Sequence, residues 1–151
     1  MRLNYQKNII FLAITISTLL IDQCSKYLIK NNLDVLLNKS FFIFSIDYIH
    51  NYGAAFNILN GNRLLLSSIS VISSLLLIYI IFIRNKSYKI NKYALSLILS
   101  GSIGNGIDRI INGYVIDFLK INFISFPVFN IADILINIGF IILIFNYLKY
   151  K

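Results

Sequence analysis

The chain has 151 residues, of which 58% are hydrophobic and only 13% charged, and its net charge is +8. Soluble domains carry about 25% charged residues, so this composition excludes an ordinary soluble fold. One Cys and one His exclude an intramolecular disulfide and leave no zinc site of nitrogen and sulfur ligands. The long apolar segments argue against nucleic acid as the partner of the basic residues and indicate a membrane protein.

Four apolar segments are long enough to cross a membrane, which takes about 20 residues in a helix. We expect spanning helices at about 9–29, 64–83, 93–111 and 131–147. The second of these segments carries no charge, whereas the other three have charged residues at one end. The sequence therefore predicts a mainly α membrane protein that forms a single domain over residues 1–151.

The charges divide unequally between the two sides of this four-span topology. The side that bears both termini has eight basic residues and no acid: Arg2, Lys7, Arg84, Lys86, Lys89, Lys92, Lys149 and Lys151. The other side has six of each sign: Lys26, Lys30, Lys39, Arg63, Arg109 and Lys120, with Asp22, Asp34, Asp47, Asp108, Asp117 and Asp133. By the positive-inside rule, both termini and the 84–92 loop are cytoplasmic, and every acid lies on the outer side.

Two outer segments have the alternation of short strands. Phe44, Ile46 and Tyr48 alternate with polar residues, and so do Leu119, Ile121 and Phe123. Free strand edges are not tolerated in lipid, so we expect these strands to pair with each other above the bilayer as a small sheet.

Several polar residues at the outer helix ends are candidates for a site. Asp22 and Lys26 are four residues apart on one helix face, which suits either an ion pair in the headgroup region or a group that supports an active site. Asp108 and Arg109 are adjacent, so each needs its own partner. Asn130 and Asp133 have the spacing of a capping box.

Three further features refine this set. Ser96, Ser100 and Gly104 recur every four residues and predict a stripe for close helix packing. Asp117 stands among apolar residues in the second alternating segment, where an exposed loop aspartate is not expected. Asn51 begins a turn-like segment of small residues that could hold an extended peptide.

These residues permit three functions. The single His50 excludes a Ser-His-Asp or Cys-His arrangement, but two aspartates that share one proton can activate water for peptide hydrolysis. Carboxylates at a membrane also serve as relays in proton- or ion-coupled transporters. A non-enzymatic assembly factor of the membrane is the third possibility.

The motifs taken in order resemble the lipoprotein signal peptidases, or type II signal peptidases, of bacteria. They are the segments 22–26 (DQCSK), 51–56 (NYGAAF), 104–109 (GNGIDR), 115–118 (VIDF) and 129–133 (FNIAD). The resemblance covers nearly the whole chain. It implies an aspartyl protease of the bacterial inner membrane, with four spans and an extracytoplasmic β-sheet cradle over the substrate.

The same resemblance implies a role for each site residue. Asp117 and Asp133 match the catalytic pair, and Asp108 matches a structural aspartate that is the second choice for catalysis. The residues that match the substrate pocket are Asn51, Asn105, Arg109 and Asn130. Asp22 and Lys26 match a supporting polar pair.

The substrate implied is a prolipoprotein, cut on the amino side of its diacylglyceryl-modified cysteine and delivered from the membrane lipid. No organic cofactor and no metal is implied. The chain departs from the family pattern at His50, where Arg is usual, and at Ser100, where a glycine is usual. We expect Cys24 to be an inert packing residue.

Overall fold

The computed structural model describes residues 2–54, 58–83 and 89–149, with side chains for 8–54, 58–83 and 91–149. The elements in chain order are α1 (Arg2–Asn31), α2 (Leu33–Leu36), β1 (Ser40–Phe41), β2 (Phe44–Asn51), α3 (Arg63–Ile78), a π-helical continuation (Tyr79–Ile83), α4 (Lys89–Ile111), β3 (Val115–Ile121) and α5 (Ile131–Lys149). Most of the predicted cytoplasmic loop, residues 84–88, lies outside the described residues, as do residues 55–56 of the Asn51 motif.

The mainly helical fold is confirmed, but the count of four apolar spans is not. Among the described residues, three helices are long and apolar enough to cross a membrane: Asn8–Asn31, Arg63–Ile83 and Ile131–Lys149. The third predicted span lies within α4, which has 23 residues and therefore sufficient length. Its serines, its glycines, Asn105 and the charged residues near its two ends make it less apolar than these three candidate spans.

The polar character of α4 follows from its central position, since it packs against α1, α3 and α5. Small residues permit this close packing, in agreement with the predicted stripe of Ser96, Ser100 and Gly104. Thr18 on α1 donates a hydrogen bond to the hydroxyl of Ser100 at 2.8 Å, and Ser73 on α3 lies 2.9 Å from the hydroxyl of Ser102. A helix that is enclosed by other helices does not need apolar side chains on every face.

The outer segments form one antiparallel sheet in the order β1-β2-β3. The predicted pairing of the two alternating segments is confirmed, with Phe44 opposite Ile121 and Asn51 opposite Val115. The two-residue strand β1 was not predicted, because two residues are too few for an alternating pattern to show. Apolar residues of the sheet pack on the end of α1 around Ile29, Ile116 and Phe118.

A β-bulge in β2 sets which side chains face the site. Ile46 lies opposite Leu119 and Ile49 lies opposite Asp117, so three steps along β2 match two steps along β3. Residues that lie opposite each other in an antiparallel pair share a face of the sheet. The bulge therefore places Ile46 and Asn51 on the same face as Asp117, although regular alternation would separate them.

Candidate active site

The centre of the polar cluster is a buried lysine between two aspartates. The Lys26 ammonium lies 2.9 Å from a carboxylate oxygen of Asp22 and 2.9 Å from one of Asp108. It also donates a hydrogen bond to the amide oxygen of Asn105 at 3.1 Å. The predicted ion pair between Asp22 and Lys26 is therefore present, and all four side chains are buried within the protein.

Asp22 joins α1 to the beginning of α5. Its second carboxylate oxygen accepts a hydrogen bond from the backbone N–H of Ala132 at 2.8 Å. The first N–H groups of a helix have no partner within the helix, so this carboxylate satisfies one of them and suits the positive end of the helix dipole. Gly104 makes room for the contact, because a Cβ atom there would lie 2.5 Å from the carboxylate of Asp22.

Asp117 lies within β3 and is only 2% exposed. Its two oxygens accept hydrogen bonds from two side-chain amides, one from Asn130 at 2.6 Å and one from Asn51 at 2.8 Å. Burial and then the nearby charge of Asp133 raise the pKa of Asp117 to about 7. The hydrogen bonds from Asn51 and Asn130, and the charge of Lys26, act in the lowering direction.

Asp133 lies in the first turn of α5 and forms, with Asn130, the capping box that the sequence predicts. The Asp133 N–H donates to the side-chain oxygen of Asn130 at 3.0 Å, and the Asn130 N–H donates to the Asp133 carboxylate at 3.2 Å. The other Asp133 oxygen accepts a hydrogen bond from Asn105 at 2.8 Å. One motif therefore caps the helix and also orients the carboxylate.

Asn130 connects the two carboxylates. Its amide nitrogen donates to Asp117 and to the amide oxygen of Asn105, while its amide oxygen accepts from the Asp133 backbone. Asn130 is fully buried, so its amide is held in one orientation. The arrangement presents two carboxyl groups from different elements at the outer end of the helices.

Arg109 lies on the opposite flank of α4 from Asp108. It donates a hydrogen bond to the carbonyl of Gly53 at 2.9 Å, and it interacts electrostatically with Asp133 and Asp117. The N–H of Gly53 in turn donates to Asn51 at 2.9 Å. The adjacent residues Asp108 and Arg109 thus have separate partners, as their positions on a helix require.

The family comparison bears on what this arrangement does. A family model described as signal peptidase (SPase) II matches residues 14–149. The chain belongs to the signal peptidase II family. This membership favours the peptidase over the transporter and over the assembly factor.

Individual relatives are similar to this chain over most of their length. The lipoprotein signal peptidase of Clostridium tetani is 45% identical over 119 residues, which are 77% of this chain and 75% of that protein. That of Buchnera aphidicola subsp. Schizaphis graminum is 44% identical over 146 residues, or 91% and 89%. That of Microcystis aeruginosa is 35% identical over 150 residues and 97% of both chains.

Two solved structures of bacterial membrane enzymes, both obtained by the in meso method, have a similar fold. The first, at 2.3 Å resolution, has a TM-score of 0.84 at 33% identity and covers 92% of this chain and 87% of its own. The second, at 1.9 Å, has a TM-score of 0.82 at 33% identity and covers 93% and 94%.

The structure brings the nine predicted site residues into one connected network. Its contacts involve Asp22, Lys26, Asn51, Asn105, Asp108, Arg109, Asp117, Asn130 and Asp133. Within the described ranges, no group of three or more His, Cys, Asp or Glu side chains could hold a metal ion.

Two residues of the network were not predicted. Gln23 donates hydrogen bonds to Asp22 at 3.1 Å and to the carbonyl of Gly104 at 3.2 Å. Arg63 donates to the carbonyls of Arg109 and Ile110 and so closes the end of α4. A basic residue near a helix C-terminus is a recognised signal, but Arg63 comes from another element, which only the fold reveals.

The packing role expected for Cys24 is wrong, because its side chain is exposed on α1. Asp22 and Lys26 lie on the buried face of that helix, and residue 24 lies on a different face.

Proposed function

We propose that the chain is an aspartyl endopeptidase that removes the signal peptide from prolipoproteins on the amino side of a diacylglyceryl-modified cysteine. Asp117 and Asp133 are its catalytic pair. The observation that carries this proposal is their joint orientation by Asn130, with a raised pKa for Asp117. A carboxyl that keeps its proton near neutral pH beside a second carboxyl is the arrangement that acid–base hydrolysis requires.

Each carboxyl has a distinct task in the reaction. Asp117 carries the shared proton and polarises the scissile carbonyl, while Asp133 accepts a proton from the attacking water. Hydroxide adds to the carbonyl carbon, the C–N bond breaks, and a proton passes from the pair to the leaving amine of the cysteine. The products are a free carboxylate on the signal peptide and a free amino group on the lipoprotein.

The remaining site residues support this pair in two groups. Asn51, Asn105 and Asn130 orient the two carboxylates through their amides. We assign them, with Arg109, to the lining of the pocket that takes the peptide. Asp22, Lys26 and Asp108 brace α1, α4 and β3, since the Asp108 carboxylate also accepts a hydrogen bond from the Ile116 N–H at 3.3 Å. We therefore assign Asp108 a structural role and not a catalytic one.

The membrane position follows from the charge asymmetry of the sequence. All four long helices cross the bacterial inner membrane, α4 being shielded by the other three, and both termini are cytoplasmic. The site then lies at the outer surface, where the scissile bond of a lipid-anchored substrate is located. The acyl chains remain in the bilayer while the peptide enters the site from the side.

The decisive experiment is cleavage of a diacylglyceryl-modified prolipoprotein by the purified enzyme. Asp117→Asn and Asp133→Asn should each reduce turnover by about 10²–10⁴-fold, because each removes one acid–base group. Phe42→Ala, an exposed residue at the far end of the sheet, serves as the matched control and should retain activity. Near-normal turnover by either folded Asn variant would remove that aspartate from the catalytic pair.

A further inference from the structure

Four aromatic rings cluster where β2 ends and β3 begins. The His50 imidazole is stacked on the ring of Tyr114, with 3.8 Å between the centroids and 24° between the planes. Tyr48 contacts His50 edge-on at 5.1 Å, and Tyr52 does so at 6.4 Å. His50 thus contacts three tyrosine rings that come from two segments of the chain, although its own side chain is exposed.

The cluster lies directly beside a residue of the site. His50 is opposite Ile116 in the sheet, and the next residue, Asn51, is opposite Val115. Asn51 is the last residue of β2 and donates its amide to Asp117 at 2.8 Å. On its other side, the Asn51 side chain accepts a hydrogen bond from the Gly53 N–H, and the Gly53 carbonyl is bound by Arg109.

We propose that His50 is a positioning residue: by stacking on Tyr114, its ring fixes the end of β2 to β3 and thereby holds the Asn51 amide on Asp117. This inference rests on the proposed role of Asp117 in peptide cleavage. Offset stacking of aromatic rings is favourable and specific in geometry, so the pair resists separation of the strand ends. His50 itself does not touch the reacting atoms in this assignment.

Loss of the stack has a chemical consequence at Asp117. Asn51 is one of the donors that lower the pKa of Asp117, together with Asn130 and the charge of Lys26, whereas burial and Asp133 raise that pKa. When the strand end moves, Asp117 loses the Asn51 hydrogen bond and holds its proton to higher pH. The alkaline limb of the pH–rate profile should then move to higher pH.

The test compares kcat, KM and the pH–rate profile of His50→Ala and His50→Phe in the prolipoprotein cleavage assay. Since small misplacements in an active site can cost up to about 10²-fold, we expect His50→Ala to lower kcat about tenfold with little change in KM. Its alkaline limb should move to higher pH, and Asn51→Ala should show the same movement. His50→Phe keeps a stacking ring and should stay within about twofold of the wild type.

Tyr114→Ala removes the same stack from the other segment and provides the second route to the answer. It should lower kcat at least as much as His50→Ala, because Tyr114 also contacts Tyr52 and packs beside Ile116. The loss in the double variant should be smaller than the sum of the two single losses, because the stack is removed in both. If His50→Ala does not fold, Tyr114→Ala with His50→Phe decides the question by the same readouts. Phe42→Ala again controls for loss of an aromatic ring from the sheet.

Three results would overturn the proposal while leaving the proposed function intact. They are a wild-type kcat and pH profile in His50→Ala, a His50→Phe variant as impaired as His50→Ala, or additive losses in the double variant. A wild-type enzyme that fails to cleave the lipidated substrate would instead refute the proposed function.

Discussion

At the scale of single residues, the site depends on how buried charges are compensated. Lys26 neutralises one of its two aspartate neighbours, and hydrogen bonds from Gln23, Ala132 and Ile116 satisfy the remaining oxygens. Asp117 has no ion pair of its own in the described part of the chain, and its oxygens accept hydrogen bonds from neutral amides. The aspartates beside Lys26 therefore have a cation to compensate them, whereas Asp117 has neutral amide donors and a raised pKa.

The pKa of Asp117 makes stability depend on pH in a definite direction. The unfolded carboxyl ionises near its usual value of 3.8, but the folded one keeps its proton to about 7. Stability present below pH 3.8 is therefore lost progressively as the pH rises through about 7. Asp117→Asn removes this titration, so its melting temperature should fall less than that of the wild type between pH 5 and pH 8.

Thermal unfolding of both proteins in the same detergent measures this difference. Each kcal/mol corresponds to roughly 2–4 °C in a protein of this size. Equal pH slopes for wild type and variant would show that Asp117 ionises at its ordinary pKa in the fold.

Lys26→Met should destabilise the protein by about 3–5 kcal/mol, because it leaves two buried carboxylates without their shared cation. The methionine side chain is nearly isosteric with the lysine stem, so the loss of stability reports the missing charge and not a change in packing. Chemical unfolding of the purified variant provides the measurement. Lys30→Met, an exposed position one turn further along α1, is the control and should be neutral. A Lys26 variant as stable as this control would mean that the two carboxylates are not charged in the fold.

At the scale of the elements, glycines determine how closely the helices approach. A Cβ atom at Gly104 would meet the Asp22 carboxylate at 2.5 Å, and one at Gly139 would meet the Ala94 carbonyl at 2.7 Å. These contacts hold α4 against α1 and α5, and Asn105 is thereby brought within hydrogen-bond distance of Asp133.

Gly104→Ala should lower both stability and turnover, although alanine favours helix by up to about 1 kcal/mol over glycine. Helix propensity alone would stabilise the alanine variant, so a loss of stability can be attributed to the steric clash. Gly106→Ala is the matched control, since its Cβ atom would meet only the Ser70 side chain, at 3.0 Å. Melting temperature and cleavage rate should therefore fall more at position 104 than at position 106. Equal effects at the two positions would argue against the role of Asp22 in this contact.

At the scale of the whole molecule, three apolar helices surround a more polar one, and the sheet lies at the end that carries the aspartates. The arrangement separates the lipid-facing surface from the site and leaves the carboxylates at the end of the bundle. A membrane orientation can therefore be tested independently of catalysis.

Cysteine labelling of intact cells tests the orientation. Cys24 is first replaced by serine, and single cysteines are introduced at Ser87 in the basic loop and at Ser125 after β3. An impermeant maleimide should label position 125 and not position 87, because the positive-inside rule places the 84–92 loop in the cytoplasm. Labelling of position 87 from outside would reverse the proposed topology.

The sequence by itself determined the class of the protein, the long helices and the pairing of two outer strands, and its resemblance to a known family supplied the residues of the candidate site. Hydrophobic length, charge asymmetry and ordered motifs are local properties, and no three-dimensional information is needed to see them. Even the capping box of Asn130 and Asp133 could be read from spacing alone, because its hydrogen bonds span only three residues.

Only the tertiary structure decided how those residues act together. The bridge from Lys26 to Asp108, the bond from Asp22 to α5 and the two amides on Asp117 join segments that are far apart in sequence. The bulge in β2 and the stack of His50 on Tyr114 depend on register and ring geometry, which a pattern of residue types does not encode. A linear sequence displays periodicity and composition, whereas the distances between charges and the burial that shifts their pKa values exist only after the chain has folded.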